Sequence, residues 1–100
     1  MVVEKGAKIK SSTVRGPAII GSGTVIENSY IGPFTSISDN CTIRNSELEH
    51  SIVWANSKIV DVGGRISDSL IGRDTEIRNV EKKPRTYKLL VGDSSLIELS

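Results

Sequence analysis

The sequence predicts an all-β chain: a single-stranded parallel β-solenoid with three flat sides and about five coils, followed by a C-terminal tail packed on it. Three observations predict this fold. An aliphatic residue recurs every five or six positions, a small residue stands two positions before it, and Ile and Val far outnumber the 4% of aromatic residues. Branched side chains favour strands, and self-similarity at a fixed period is the signature of a repeat architecture.

The recurring aliphatic residue can be followed over residues 1–80. Its positions, five or six apart with a single step of seven, are Val3, Ile9, Val14, Ile20, Ile26, Ile31, Ile37, Ile43, Leu48, Val53, Ile59, Ile66, Ile71 and Ile77. Two residues before each of them after the first stand Ala7, Ser12, Ala18, Thr24, Ser29, Thr35, Cys41, Ser46, Ser51, Ser57, Gly64, Ser69 and Thr75. We interpret the aliphatic residue as filling the interior and the small residue as leaving room for it.

Neither a helix nor a hairpin meander fits this spacing. Steps of five and six do not follow a stripe of period 3.6, and the pairs Gly16-Pro17 and Gly32-Pro33 would break a helix. A meander needs alternation over longer strands. Taking the aliphatic positions by threes gives three vertical stacks, which begin at Val3, Ile9 and Val14. Coils about 4.8 Å apart then build a prism on the order of 24 Å tall.

The corners between the flat sides carry turn residues. Asn28 and Asn45 occupy matching corners one coil apart, and asparagine tolerates the left-handed backbone conformation. The seven-residue step from Ile59 to Ile66 predicts a small bulge or loop. We also expect a positive φ at the glycines that directly follow a core residue, which are Gly21, Gly32 and Gly72.

The repeat divides the chain into residues 1–80, which form the solenoid, and residues 81–100, which form a linker and a tail. The charged run 81–85 ends the repeat and is typical of a solvated linker. The tail is expected to add a strand or a strand pair laid along the prism, with a short helix over 93–99 as the alternative.

Composition and charge exclude several classes of partner. The net charge of +1 offers no field that would recruit nucleic acid or an anionic membrane. No apolar stretch approaches 18 residues, no secretory leader stands at residues 1–5, and the single Cys41 excludes an internal disulfide. We therefore expect a cytoplasmic protein.

The repeat resembles that of hexapeptide-repeat proteins, whose coil is a left-handed β-helix. The left hand is implied by this resemblance alone, since it opposes the usual preference for right-handed crossovers. A narrower resemblance rests on residues 16–21, 28–37 and 45–53 and on the tail segment 87–95. They are similar to the C-terminal domain of the long-form glucose-1-phosphate thymidylyltransferases, sugar-1-phosphate nucleotidyltransferases that make dTDP-glucose from dTTP and glucose 1-phosphate.

In that family the chemistry belongs to an N-terminal doubly wound domain, with a glycine-rich phosphate loop and carboxylates that bind Mg²⁺. The glycines at 21–23 and 63–64 fall on solenoid corners, whereas a phosphate loop lies between a strand and a helix. The resemblance therefore implies a non-catalytic assembly and stabilising domain that holds no cofactor itself, Mg²⁺ being expected only in the parent's catalytic domain. It also implies a homo-oligomer, dimer or trimer, and the catalytic domain as partners. The chain is expected to be an excised domain, with a stand-alone homologue as the alternative.

His50, the only histidine, is the one candidate catalytic residue. Hexapeptide-repeat acyltransferases use a histidine as general base, so a small acyl-CoA-dependent acyltransferase is an alternative function. The position of His50, equivalent to Asp68 one coil on, instead favours an exposed structural role. Cys41 stands at a small inward position, which favours a buried inert thiol. No metal-ligand spacing is present, so we expect no metal site.

Four residues predict an apolar contact surface. Ile19, Ile52 and Leu70 directly precede core residues and Trp54 directly follows one, so all four should point outwards. Exposed apolar patches usually mark contact surfaces. Either the tail covers this surface within the chain, or it is a subunit or interdomain interface. A bare oligomerisation module with no enzymatic parent is the remaining alternative.

Overall fold

The computed structural model describes residues 2–79, 86–87, 90–91 and 96–99. Within them the chain forms short strands separated by bends and turns, at the intervals of the predicted repeat. These strands are β1 (Val2–Val3), β2 (Lys8–Lys10), β3 (Thr13–Val14), β4 (Ala18–Ile20), β5 (Val25–Glu27), β6 (Tyr30–Ile31), β7 (Thr35–Ile37), β8 (Thr42–Arg44), β9 (Glu47–Glu49), β10 (Ile52–Val53), β11 (Lys58–Val60), β12 (Arg65–Ser67), β13 (Leu70–Ile71), β14 (Glu76–Asn79), β15 (Thr86–Tyr87), β16 (Leu90–Val91) and β17 (Leu96–Leu99).

Each strand pairs with the strand that lies three strands further along the chain, on the next coil. Sheet A contains β1, β4, β7, β10, β13 and β16, sheet B contains β2, β5, β8, β11, β14 and β17, and sheet C contains β3, β6, β9, β12 and β15. Neighbouring strands run parallel in all three sheets. A chain that returns to the same side after three strands is a three-sided solenoid, so the predicted all-β fold class is confirmed. The left hand of the coil stays an expectation from the family resemblance.

The aliphatic stacks have the predicted register. In sheet B, Ile26 pairs with Ile43 and Ile43 with Ile59, and all three side chains are fully buried. Burial of each such side chain contributes about 1.5–3 kcal/mol. The buried interior is formed by Ala18, Ile20, Ile26, Ile31, Ile37, Cys41, Ile43, Leu48, Val53, Ile59, Val62, Ile66, Ile71 and Ile77.

The small positions do more than leave room, because many of their hydroxyl groups link successive coils. The Ser46 hydroxyl donates a hydrogen bond to the Arg44 carbonyl at 2.9 Å and accepts one from the Val62 amide at 3.2 Å. One coil earlier, the Ser29 hydroxyl accepts from the Ser46 amide at 3.2 Å. An amide of the next coil donates the same kind of hydrogen bond to four more hydroxyls, those of Ser12, Thr24, Ser51 and Ser57.

The asparagine corners are confirmed. Asn28 and Asn45 have φ angles of 49° and 51°. Their side chains also form a ladder along the prism edge: the Asn28 amide donates to the Asn45 oxygen at 2.8 Å, and the Asn45 amide donates to the Asp61 carboxylate at 2.6 Å. The asparagines therefore serve both the local turn and the contact between coils.

The predicted positive φ at the three glycines that follow core residues is wrong. The described glycines with positive φ are Gly6 and Gly23 instead. Gly21 is required for another reason, since a Cβ atom there would lie 2.5 Å from the Ser38 carbonyl carbon. A Cβ on Gly32 would likewise lie 2.8 Å from Glu49 Cβ. The close approach of the next coil, rather than a special dihedral, selects glycine at these two sites.

The seven-residue step contains the predicted loop between β11 and β12, with Gly63 and Gly64 in bends. It also contains a core residue that the spacing rule misses. Val62 is only 4% exposed and packs in the interior. Its amide donates a hydrogen bond to the Ser46 hydroxyl, as the amides of small residues on other coils do. Val62 therefore occupies the position of the small residue, and Gly63 and Gly64 are the two extra residues of the seven-residue step.

The described residues of the tail extend the three sheets. Strands β15, β16 and β17 pair in parallel with β12, β13 and β14. Leu96–Leu99 is thus a strand and not part of the alternative short helix. The predicted boundary at residues 80 and 81 and the linker 81–85 lie outside the described residues.

The hydroxyl bonds between coils can be tested with Ser46. We expect Ser46→Ala to lower the free energy of unfolding by about 1–3 kcal/mol, because the buried Val62 amide loses its acceptor. Thr35 is the matched control: its buried hydroxyl has no hydrogen-bond partner among the described residues, so Thr35→Val should leave stability unchanged or raise it. Urea unfolding measures both. Equal losses from the two variants would mean that small positions only provide space.

Candidate interaction surface

The outer face of sheet A carries the predicted apolar residues in one column. Val2 pairs with Ile19, Ile19 with Ser36, Ser36 with Ile52, and Ile52 with Leu70. Ile19, Ile52 and Leu70 are 48%, 46% and 38% exposed. We call the column of Val2, Ile19, Ser36, Ile52 and Leu70 the first column. Its Cα register continues into the tail at β16.

A second column runs beside the first and includes the only tryptophan. Glu4, Gly21, Ser38 and Trp54 each donate their amide to the carbonyl of a core residue on the next coil, and Gly72 takes the equivalent position on the fifth coil. Trp54 is 49% exposed. Beside its ring lies an open depression of about 620 Å³ whose wall includes Ile19, Gly21, Ser36 and Ser38, with Glu4, Asp39 and Arg73 also lining it.

The described tail strands do not cover this face. Strand β16 adds to the edge of sheet A beside β13, and the apolar residues of the first column stay exposed together with Trp54. The structure therefore brings Ile19, Ile52, Leu70 and Trp54 together on one side, as expected. Their role as an interface stays a prediction.

The outer faces of sheets B and C are mainly polar and carry ion pairs between coils. On sheet B, Arg44 lies 3.6 Å from Glu27 on the preceding coil. On sheet C, Arg65 forms ion pairs with Glu47 at 2.8 Å and Glu49 at 3.4 Å. The hydrogen bond to Glu47 is the main cause that raises the pKa of Arg65. Sheet A is thus the side on which apolar groups are concentrated.

His50 lies at an exposed corner between sheets C and A. Its φ is 49°, and the equivalent residues on neighbouring coils, Phe34 and Asp68, also have positive φ angles. The imidazole makes an edge-on contact with Phe34, with ring centroids 5.2 Å apart. Within the described part of the chain no carboxylate is hydrogen-bonded to this ring. A general base usually needs such an orienting partner, so the placement fits a corner residue.

Cys41 lies inside the solenoid, only 1% exposed. Its thiol donates to the Trp54 carbonyl at 3.2 Å. Burial raises the pKa of Cys41, and backbone hydrogen bonds from Ser57 and Asn56 oppose the shift in part. The residue is a buried thiol, as its small inward position predicts.

Neither a metal centre nor a membrane-spanning helix is present among the residues that the structure describes. No three His, Cys, Asp or Glu side chains there are grouped closely enough to hold a metal ion. None of the same residues forms a helix with the length and hydropathy required to cross a membrane.

Known proteins match the chain over its whole length. It is 46% identical over 99 residues to a glucose-1-phosphate thymidylyltransferase of Streptomyces antibioticus, and 42% identical over 100 residues to one of Streptomyces griseus. The chain is homologous to one part of the glucose-1-phosphate thymidylyltransferases. This confirms the resemblance in the repeat and the tail. The chain spans about 28% of the length of these two relatives.

The similarities to other known proteins are weaker. The low-salt glycan biosynthesis nucleotidyltransferase Agl11 of Haloferax volcanii is 37% identical over 71 residues, which cover 70% of this chain and 20% of that protein. No family model matches the chain. Among solved structures, the product of the Bacillus cereus gene BC4754, described as an acetyltransferase, matches 98% of this chain and 69% of its own, with 18% identity and a TM-score of 0.39. At that TM-score the likeness carries no argument about function.

Two substitutions of His50 distinguish a structural role at the corner from a catalytic role. His50→Asn should leave the free energy of unfolding unchanged or raise it, because asparagine suits a positive φ. His50→Val should lower it by about 1–2 kcal/mol, because a branched side chain is strained there. Acetyl-CoA should not shift the melting temperature of the wild type or of either variant. A shift in the wild type that His50→Asn abolishes would instead support the acyltransferase alternative.

The buried thiol of Cys41 predicts a pH effect on stability. A raised folded pKa stabilises the protonated form, so this contribution is fully present below the ordinary thiol pKa of about 8.5 and is lost as pH rises through the folded value. Cys41→Ser should therefore lose less stability than the wild type between about pH 8 and pH 10. Urea unfolding at each pH measures the difference. Parallel pH profiles for the two proteins would contradict the burial effect.

Proposed function

We propose that this chain is the non-catalytic, C-terminal assembly and stabilising domain of a sugar-1-phosphate nucleotidyltransferase. The parent reaction is the conversion of dTTP and glucose 1-phosphate to dTDP-glucose and pyrophosphate. The observation that carries the proposal is the 46% identity over 99 residues to a glucose-1-phosphate thymidylyltransferase of which the chain spans 28%. Most of the length of that enzyme therefore lies outside the matched segment.

The geometry of the glycines supports a non-catalytic role. A phosphate loop leaves open space above its backbone amides so that the anion can approach. A Cβ atom at Gly21 would lie within 2.5 Å of Asp39, and one at Gly23 within 2.5 Å of Asn40. The next coil thus fills the space that a phosphate would need. Any Mg²⁺ would belong to the catalytic domain of the parent.

The outer face of sheet A supports the assembly role. An apolar face of this extent on a small domain usually meets another protein surface. Its partner would be a second copy of the chain or the catalytic domain of the parent. The buried Cys41, left unpaired in the only position that holds a cysteine, accords with a cytoplasmic location, where disulfides are rare.

A pyrophosphate-release assay tests the catalytic part of this proposal. The purified chain, supplied with dTTP, glucose 1-phosphate and Mg²⁺, should release no pyrophosphate above background. The full-length Streptomyces antibioticus relative is the positive control under the same conditions. Release by the chain alone would overturn the non-catalytic assignment.

A deletion and a chimera test the assembly and stabilising role. Deleting the matched segment from the Streptomyces antibioticus relative should lower its melting temperature and its oligomeric state, and replacing the segment with this chain should restore both. Sedimentation and thermal melting provide the measurements, and pyrophosphate release confirms that the catalytic domain still folds. A deletion variant with unchanged melting temperature and oligomeric state would contradict the proposal.

A further inference from the structure

The first coil is an open end of the solenoid among the residues that the structure describes. Strands β1, β2 and β3 are the edge strands of sheets A, B and C, and we call their unpaired side the first-coil edge. Val3 stands in an inward stack yet is 42% exposed, whereas Ile20, its partner on the second coil, is fully buried. Ile9 and Val14 are only partly buried. The apolar interior therefore lacks a cover at this edge.

The backbone of the first-coil edge also has unused hydrogen-bonding groups. Outward residues of the first coil bond to the second coil, as when the Glu4 amide donates to the Ile20 carbonyl at 2.9 Å. Successive residues of a strand direct their backbone groups to opposite neighbours. The amides and carbonyls of Val3, Ile9 and Val14 consequently point away from the second coil. An edge of this kind is a template for a further strand.

The rim of the first-coil edge is positively charged. Residues 2–15 carry four cations and one carboxylate, whereas residues 16–79 carry five cations and eight carboxylates. The four cations are Lys5, Lys8, Lys10 and Arg15. All four side chains are exposed, and none forms an ion pair with a residue that the structure describes. Their charge is available to a partner.

We propose that the first-coil edge binds an acidic, extended segment of the parent chain, the one that directly precedes β1, and that this segment adds strands beneath β1, β2 and β3. The proposal rests on the C-terminal placement proposed above and identifies the surface that receives the rest of the parent. One turn of the solenoid takes 17 residues, the distance from Val3 to Ile20. A segment of that length can pair with all three edge strands and cover Val3, Ile9 and Val14.

The charge distribution favours an acidic segment over a second copy of the chain. Two first-coil edges brought together would set four cations against four cations, and charged side chains on an edge strand oppose pairing of this kind. An acidic segment would neutralise the same side chains. A segment of the parent chain also has the advantage of a high effective concentration, because it is covalently attached.

Extending the chain tests the docking. The probe is the 17-residue segment directly before the matched region of the Streptomyces antibioticus relative, fused to the N-terminus of this chain. Hydrogen exchange at the amides of Val3, Ile9 and Val14 should slow at least about tenfold, because these amides gain partners. The melting temperature should rise by about 5 °C or more. Unchanged exchange at the three amides would overturn the proposal, as would an excess of Lys and Arg over Asp and Glu in the segment.

Two sets of variants test the charges. The same extension with each Asp and Glu replaced by Asn and Gln should give a smaller rise in melting temperature. Lys8→Gln combined with Lys10→Gln should remove at least about half of the rise at low salt. Lys58→Gln is the matched control, since Lys58 lies in the same column of sheet B as Lys8, three coils away, and it should leave the rise unchanged.

The outcomes separate this proposal from the proposed function. An equal rise in melting temperature for the acidic and the neutralised extension would overturn the acidic partner. A dimer of the unextended chain that the extension dissociates, with no protection of the Val3, Ile9 and Val14 amides in that dimer, would place the contact between copies elsewhere and leave the docking intact. If the extension fails to protect these amides, the docking is wrong, whereas the pyrophosphate and deletion experiments above decide separately on the non-catalytic and assembly roles.

Discussion

The structure depends on the stacking of one coil on the next at the spacing of parallel strands. Each side contributes a single aliphatic residue per coil to the interior, so a coil has no core of its own and is buried by its neighbours. The first coil shows the cost of having one neighbour: Ile9 and Val14 are only partly buried, whereas Ile26 and Ile31 above them are fully buried. At the other end, the strands of the tail continue all three sheets and give the fifth coil a second neighbour.

The same spacing determines the residues around the aliphatic stacks. A position that repeats every coil must satisfy its own backbone and the coil beside it, and a serine hydroxyl does both, as Ser29 and Ser46 show. At the corners the asparagine ladder from Asn28 to Asp61 meets the same two requirements. Where the coils approach most closely, as at Gly21, no side chain fits. The repeat is therefore a pattern of contacts between coils as much as a pattern of local conformation.

Sequence spacing predicts what depends on period alone: the three stacks, their register and the outward direction of Ile19 and Ile52. It does not predict features that break the period. Val62 is buried because two inserted glycines follow it, and an insertion cannot be located by counting to the next aliphatic residue. The first two strands of the tail break the rule of the small position, since Arg85 and Leu89 stand two residues before Tyr87 and Val91, so these two strands are not recognisable from the pattern.

The strand pairing that stacks the inward residues also places the outward residues in columns. The chemistry of a column decides whether its side chains find favourable partners within the same sheet. Opposite charges in successive coils neutralise one another, as Glu27 and Arg44 do on sheet B and Glu47 and Arg65 on sheet C. An apolar column gains nothing comparable from its neighbours in the same sheet, because their side chains remain in contact with water. Removal of that surface from water requires a second surface. The outer face of sheet A, whose apolar residues stay exposed, is therefore the side through which the solenoid should bind a partner.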